Sequence, residues 1–209
     1  MADWSTIASM GTAGGTLVLA VATYASVRSS RRSAQATERA LLAAIRPVLV
    51  SSRLEDPPEK VGFADQHWVK VGGGRAVVEV TDEAIYFAIA VRNVGSGLAV
   101  LDRWDLHLQL ERTDRPGSVD GYRRLTRDIY VPAGDRGFWQ GALRDPSDPL
   151  FASVRAAVDA SQPITIDLLY GDQEGGQRTI SRFGLMPVET GQRIASVSRH
   201  WNLDRANPR

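Results

Sequence analysis

The sequence predicts a mainly β protein behind an amino-terminal helix. Three observations carry this. From Trp4 to Val27 the chain holds no charged residue. No Gly or Pro lies between Thr16 and Arg46, so one helix can run through that stretch. Beyond Pro47 the hydrophobic period drops to two, as in strands with one buried face.

The uncharged run is long enough to cross a membrane. As a helix it spans about 36 Å at ~1.5 Å per residue, against a hydrocarbon core of about 30 Å. A cleaved signal peptide carries positive charge before its apolar core. Here Met1-Ala2-Asp3-Trp4 carries an acid, and Arg28, Arg31 and Arg32 come after the run. The positive-inside rule then puts those arginines in the cytoplasm, with the amino terminus outside and the remaining chain inside. Trp4 and Tyr24 suit the two interfaces. Gly11 and Gly15 make a small-xxx-small pair, which lets two helix backbones approach closely in lipid. The expected partners are membrane lipid and other transmembrane helices, in a homo-oligomer or a larger complex. The weaker apolarity of the run leaves a second possibility, a soluble helix that does not span and packs on a partner.

Residues 1–27 are thus expected as a transmembrane helix and 28–46 as a juxtamembrane helical stalk. Leu41, Leu42, Ala44 and Ile45 give the stalk a short apolar face, and Pro47 ends it because the residue before proline is pushed out of helical geometry. Residues 47–190 are expected as one β-sandwich and 191–209 as a polar tail in which Trp201 docks.

Within the domain the clearest strands are Ile85–Val91, Trp104–Glu111 and Ile164–Tyr170. In the second, Trp104, Leu106, Leu108 and Leu110 face one way, and Asp105, His107, Gln109 and Glu111 the other. Weaker strands are expected at 48–54, 67–71, 76–81, 123–131, 137–143 and 177–183. About nine short strands with turns between them favour a sandwich. One helix interrupts them: Asp148 is a good N-cap, Pro149 a good first residue, and Leu150, Phe151, Val154, Ala157 and Val158 share a face.

Arg46-Pro47 after the helix, Asn93-Val94-Gly95-Ser96-Gly97-Leu98-Ala99, and Tyr170-Gly171-Asp172 before a glycine turn form a pattern. It resembles that of uncharacterised single-span bacterial membrane proteins with a small immunoglobulin-like sandwich. The resemblance implies architecture and is silent on chemistry. Locally, Asn93 is suited to bond neighbouring backbone, and the glycines to supply positive φ. All basic residues but Lys60 and Lys70 are arginine, which with the abundant Ala, Gly and Val points to a high-GC, actinobacterial type of genome.

No catalytic signature emerges. The chain has no cysteine, which excludes disulfides, thiolate metal sites and Cys nucleophiles. A net charge of +1 gives no global field for nucleic acid, and none is expected as a partner. His67, His107 and His200 lack metal-ligand spacing, and His107 falls on the wet face of its strand. Gly72-Gly73-Gly74-Arg75 lacks the Lys and helix of a phosphate loop and reads as a hairpin tip. Asp167, Asp172 and Glu174 are weighed as a cation site against ordinary turn chemistry, which is favoured. Arg123, Arg124 and Arg127, or Arg115 with Arg136, read as solvated loop charges. No cofactor, metal or catalytic residue is assigned. The expected function is a membrane-anchored, non-enzymatic binding or assembly module; the alternative is a tethered small-ligand sensor or enzyme.

Overall fold

The structure, a computed structural model, describes residues 4–108, 116–188 and 192–204, with side chains from residue 19 onward. Helix α1 runs from Trp4 to Ala44; residues 1–43 form one unit and residues 44–209 the other. Every described side chain from Leu19 to Leu41 is exposed. Among the described residues no helix is long and apolar enough to cross a membrane. The larger part of the uncharged run, with Gly11 and Gly15, lies outside the described side chains.

The second unit is mainly β. Its strands are β1 (Leu49–Ser51), β2 (Glu59–Gly62), β3 (Trp68–Val71), β4 (Arg75–Val80), β5 (Ile85–Asn93), β6 (Ala99–His107), β7 (Arg123–Val131), β8 (Arg136–Leu143), β9 (Ile164–Gly171), β10 (Thr179–Pro187) and β11 (Arg193–Asn202). Helix α2 is Pro149–Asp159. The Asp148 carboxylate accepts from the Leu150 amide, and Phe151, Val154 and Ala157 are buried, as the capping residues and the apolar face dictate.

The expected two-sheet sandwich is replaced by one continuous, curled antiparallel sheet. Its order is β1-β5-β4-β11-β10-β9-β6-β7, with β8 also on β5. β4 pairs Ile85–Ile89 of β5 and β1 pairs Val91–Asn93, so both share one side of β5, while β8 takes the other. The short ladder Ala76↔Arg193 and Arg75↔Ile194 joins the two arms that a sandwich would keep apart. The free edges are then β7 and β8, neighbours in the chain. The curl brings them into contact without a ladder between them.

The core fills the inside of the curl. Phe87 and Trp104 have ring centroids 5.9 Å apart, and Trp104 and Trp139 meet edge-on at 5.3 Å. Trp104 and Leu106 are buried as the alternation requires, Leu108 is partly buried, and Leu110 lies outside the described residues. Leu101 is also inside, although three residues from Trp104, because the β6 register shifts between Leu101 and Arg103.

The expectation of one wet face fails on two strands. On β5, Ile85, Phe87, Ile89 and Val91 enter the core, but Tyr86, Ala88 and Ala90 are buried too. A separate two-stranded sheet, β2-β3, covers them with Val61, Phe63, Val69 and Val71. On β9 every residue is buried; the outward Leu169 packs with Tyr122, Ile180 and Trp201. Nor is Arg193–Asn202, within the expected tail, without regular structure. β11 pairs with β10 along its length, and Trp201 is 2 % exposed. Gly72–Gly74 connect β3 and β4, which lie in different sheets, so the turn is not a hairpin tip.

Candidate functional site

Arg28, Arg31 and Arg32 follow helical spacing and are exposed. Gly11 and Gly15 fall within α1 but outside the described side chains.

The motif Asn93–Ala99 is a clasp for the start of the domain. Asn93 is fully buried. Its Nδ2 donates to the carbonyls of Gly97 (2.6 Å) and Val131 (3.0 Å), and its Oδ1 accepts from the amides of Val48 (3.1 Å) and Gly95 (2.9 Å). All four hydrogen-bonding positions of the amide are used. Gly95 and Gly97 are needed for closeness and not for positive φ, which occurs among glycines only at Gly74, Gly134 and Gly175 within the described residues. A Cβ on Gly97 would overlap the Ile45 carbonyl, and one on Gly95 would strike the Arg46 carbonyl and the Val48 amide. The other recurrent residues serve the same segment. The Tyr170 hydroxyl accepts from the Leu49 amide (3.0 Å) and lies 2.8 Å from Ser181 Oγ, which in turn is 2.7 Å from His200 Nδ1. Arg46 donates to Asn202 Oδ1. Ser181 and His200 meet only through the β10–β11 register, which the sequence did not reveal. Ser181 is fully buried, and its hydroxyl lies between the Tyr170 hydroxyl and His200 Nδ1.

Asp167, Asp172 and Glu174 do not form a cation site. Asp172 Oδ1 accepts from the amides of Glu174 and Gly176, which is turn chemistry. Asp167 is fully buried on the outer face of β9 and is held by Arg182 from β10 through two parallel bonds of 2.7 Å. Tyr122 donates to it at 3.2 Å, and His107 Nε2 lies 3.4 Å away. Arg182 also stacks 4.8 Å from the Trp201 ring centroid. Burial pushes the Asp167 carboxyl up, but the Arg182 hydrogen bonds, then His107, bring it below the ordinary range. Burial, then the Asp167 charge, drives the Tyr122 hydroxyl far above its ordinary value. His107 is therefore partly covered and coupled to a buried acid, not an ordinary wet-face histidine.

A cleft opens at the seam where β7 approaches β8. Its volume is ≈ 160 Å³, and Phe63, Trp104, Arg123–Thr126, Gln140–Ala142 and Arg144 line it. Arg123 and Arg124 are strand residues of β7, not loop charges. Arg123 Nη2 reaches Asp148 at 2.8 Å, and Arg144 Nε reaches Asp65 at 3.1 Å. The Arg124 side chain has neither a hydrogen bond nor an ion pair among the described residues. Gln140 is 4 % exposed, and its Oε1 is buried without a hydrogen-bond partner. Gln140 and Arg144 went unnoticed in the sequence, because neither belongs to a motif and only the curl brings them beside β7. Arg127 leaves the cleft to Phe138, and Arg136 lies 3.8 Å from Glu59; Arg115 is outside the described residues.

Comparison with known protein families and with curated proteins finds no match to this chain. The likeness to single-span bacterial membrane proteins therefore rests on Arg46-Pro47, Asn93–Ala99 and Tyr170–Asp172 alone.

Proposed function

We propose that this chain is a membrane-anchored, non-enzymatic binding or assembly module. It acts as an accessory subunit of a membrane complex or as a self-associating scaffold. Residues 1–27 are its single span in a bacterial cell membrane, the amino terminus is outside, and the β domain is cytoplasmic. The observation that carries this is the exposure of α1. The helix has 41 residues, about 60 Å at ~1.5 Å each. Several of its apolar side chains are uncovered, with Leu19 69 %, Tyr24 68 % and Val21 62 % exposed. Helices in proteins draw most of their stability from a packed apolar face. In this reading lipid surrounds the uncharged run, and other helices pack at Gly11 and Gly15. Arg28, Arg31 and Arg32 fix the orientation.

The test is extraction of native membranes with carbonate at high pH, with protease added to intact cells. The protein stays in the pellet and the β domain stays uncut if this reading is right. Release by carbonate, or digestion from outside, overturns it. A second reading, a tethered small-ligand sensor, draws on the seam cleft.

A further inference from the structure

The β2-β3 hairpin turns Val61, Val69 and Val71 inward and leaves Lys60, Trp68 and Lys70 exposed on its outer face. We propose that this outer face docks on an anionic lipid surface. The proposal rests on the membrane-anchored reading for the source of the lipid, and on the hairpin alone for the contact.

Charge is the first reason. Lys60 and Lys70 are the only lysines of the chain, and they are direct cross-strand partners. Like charges directly opposite each other destabilise a strand pair. Neither side chain has an ion pair or a hydrogen bond among the described residues. The paired carboxylates around the hairpin are turned elsewhere: Asp56 to Arg92, Glu59 to Arg136, Asp65 to Arg144 and Glu79 to His67. Arg127 adds a third cation at the margin, where it reaches the Gly62 carbonyl at 3.4 Å.

Trp68 is the second and independent reason. It is 56 % exposed, although buried valines already fill the inner face of the hairpin. Its ring lies across Gly62: a Cβ there would come within 2.7 to 3.0 Å of three ring carbons. Lys60 Nζ sits 4.8 Å from the ring centroid. Edge protection accounts for lysines on a two-stranded sheet, but not for an indole left in water beside them. Tryptophan is drawn to the bilayer interface, where its ring meets apolar groups and its N–H stays wet. Lysine stems lie along the same boundary with their ammonium groups among the headgroups.

The choice of lysine sets the occupant. Elsewhere in the domain single carboxylates are met by arginine, as in Arg92–Asp56, Arg123–Asp148 and Arg182–Asp167. The planar fork of arginine matches one carboxylate, whereas lysine is a compact point charge on a flexible stem. Point charges suit a layer of mobile headgroups, which attracts basic residues without a fixed geometry. An acidic protein segment would call for the fork.

Fluorescence of the full chain in bromolipid vesicles tests this, with phosphatidylcholine compared against its equal mixture with phosphatidylglycerol. The difference between wild type and Trp68→Phe isolates the Trp68 signal. Trp68 is quenched in the anionic vesicles and not in the neutral ones, and high salt relieves the quenching. Each lysine near an anionic surface is worth about fivefold. Lys60→Gln combined with Lys70→Gln therefore lowers the ratio of docked to free domain by about 30-fold, with no fall in melting temperature. If Trp68→Phe does not fold, the lysine double variant read on total tryptophan fluorescence still decides. Equal quenching of Trp68 in both lipids, no quenching in either, or quenching unchanged in the lysine variant overturns the proposal. So does soluble polyglutamate that shifts the Trp68 emission where anionic lipid does not, which assigns the face to an acidic protein. Failure of the anchor reads separately: a chain that carbonate releases still has Trp68 quenched by anionic vesicles added to it.

Discussion

Replacing Asn93 by alanine isolates the clasp at the start of the β domain. The substitution removes four hydrogen bonds from a fully buried side chain. Two of the groups left behind, the carbonyls of Gly97 and Val131, belong to buried residues and have no easy route to water. A buried polar group left unmet costs ~1–3 kcal/mol, so these two give a loss of about 2–6 kcal/mol. That is a large share of the ~5–15 kcal/mol by which a typical domain is stable. Urea unfolding of the full chain, followed by tryptophan fluorescence, measures it as a fall in midpoint at constant slope. Asn93→Asp separates the donors from the acceptors. It keeps the bonds from Val48 and Gly95 but turns a carboxylate oxygen toward two carbonyls, so it is no more stable than the alanine variant at neutral pH. A loss below about 1 kcal/mol for Asn93→Ala, or an aspartate variant as stable as the wild type, would refute the reasoning.

Two glycines should behave differently under the same change. Gly97→Ala must displace the Ile45 backbone and should exceed ~3 kcal/mol, the upper end of ordinary overpacking. Gly134→Ala meets no atom within 4 Å and suffers only its φ of +75°, a cost of about 1–2 kcal/mol; thermal melts compare the two. The depressed Asp167 carboxyl contributes stability that is fully present above the unfolded value of ~3.9 and lost as pH falls through the lower folded value. Asp167→Asn should therefore lower stability at pH 7 and flatten its fall below about pH 4, read from denaturation at a series of pH values. Leu106→Ala should cost ~2–5 kcal/mol as a buried large-to-small change, measured by urea titration. Gly11→Leu and Gly15→Leu should weaken helix association in detergent sizing or crosslinking while Gly14→Leu does less; equal behaviour of the three would remove the case for packing through that face.

Alternation made the inner face of the sheet readable. Phe87, Trp104, Leu106, Ile166 and Leu168 all lie where period two places them. The outer faces were not readable, because what covers them is distant in sequence. Ala88 and Ala90 are small enough for β2-β3 to lie over them, yet alanine alone signals neither burial nor exposure. β11 escaped notice because its inward positions are few: Ala195 is buried, Val197 is partly buried, and the buried Arg193 is satisfied by the carbonyls of Gln162 and Leu185. Missing that one strand also hid the link between the two arms. The chemistry of the seam was illegible for the same reason. Arg124, Gln140 and Arg144 become neighbours only after the sheet has curled, whereas Asn93, whose partners include nearby backbone, could be read as a local hydrogen-bonding residue.

The clasp also has a mechanical side. The chain leaves α1 through Arg46 and Pro47 and enters the three-residue β1 at once, so tension on the helix loads β1 and Asn93 before any other strand. β5 keeps β4 along Ile85–Ile89 and β8 along Ile85–Arg92 when β1 is drawn out. Peeling residues 45–51 would free a tether of roughly 23–25 Å at ~3.3–3.6 Å per residue. The start of the domain is thus a short extensible leash, latched by Asn93, by the Tyr170 hydroxyl and by the β1–β5 ladder.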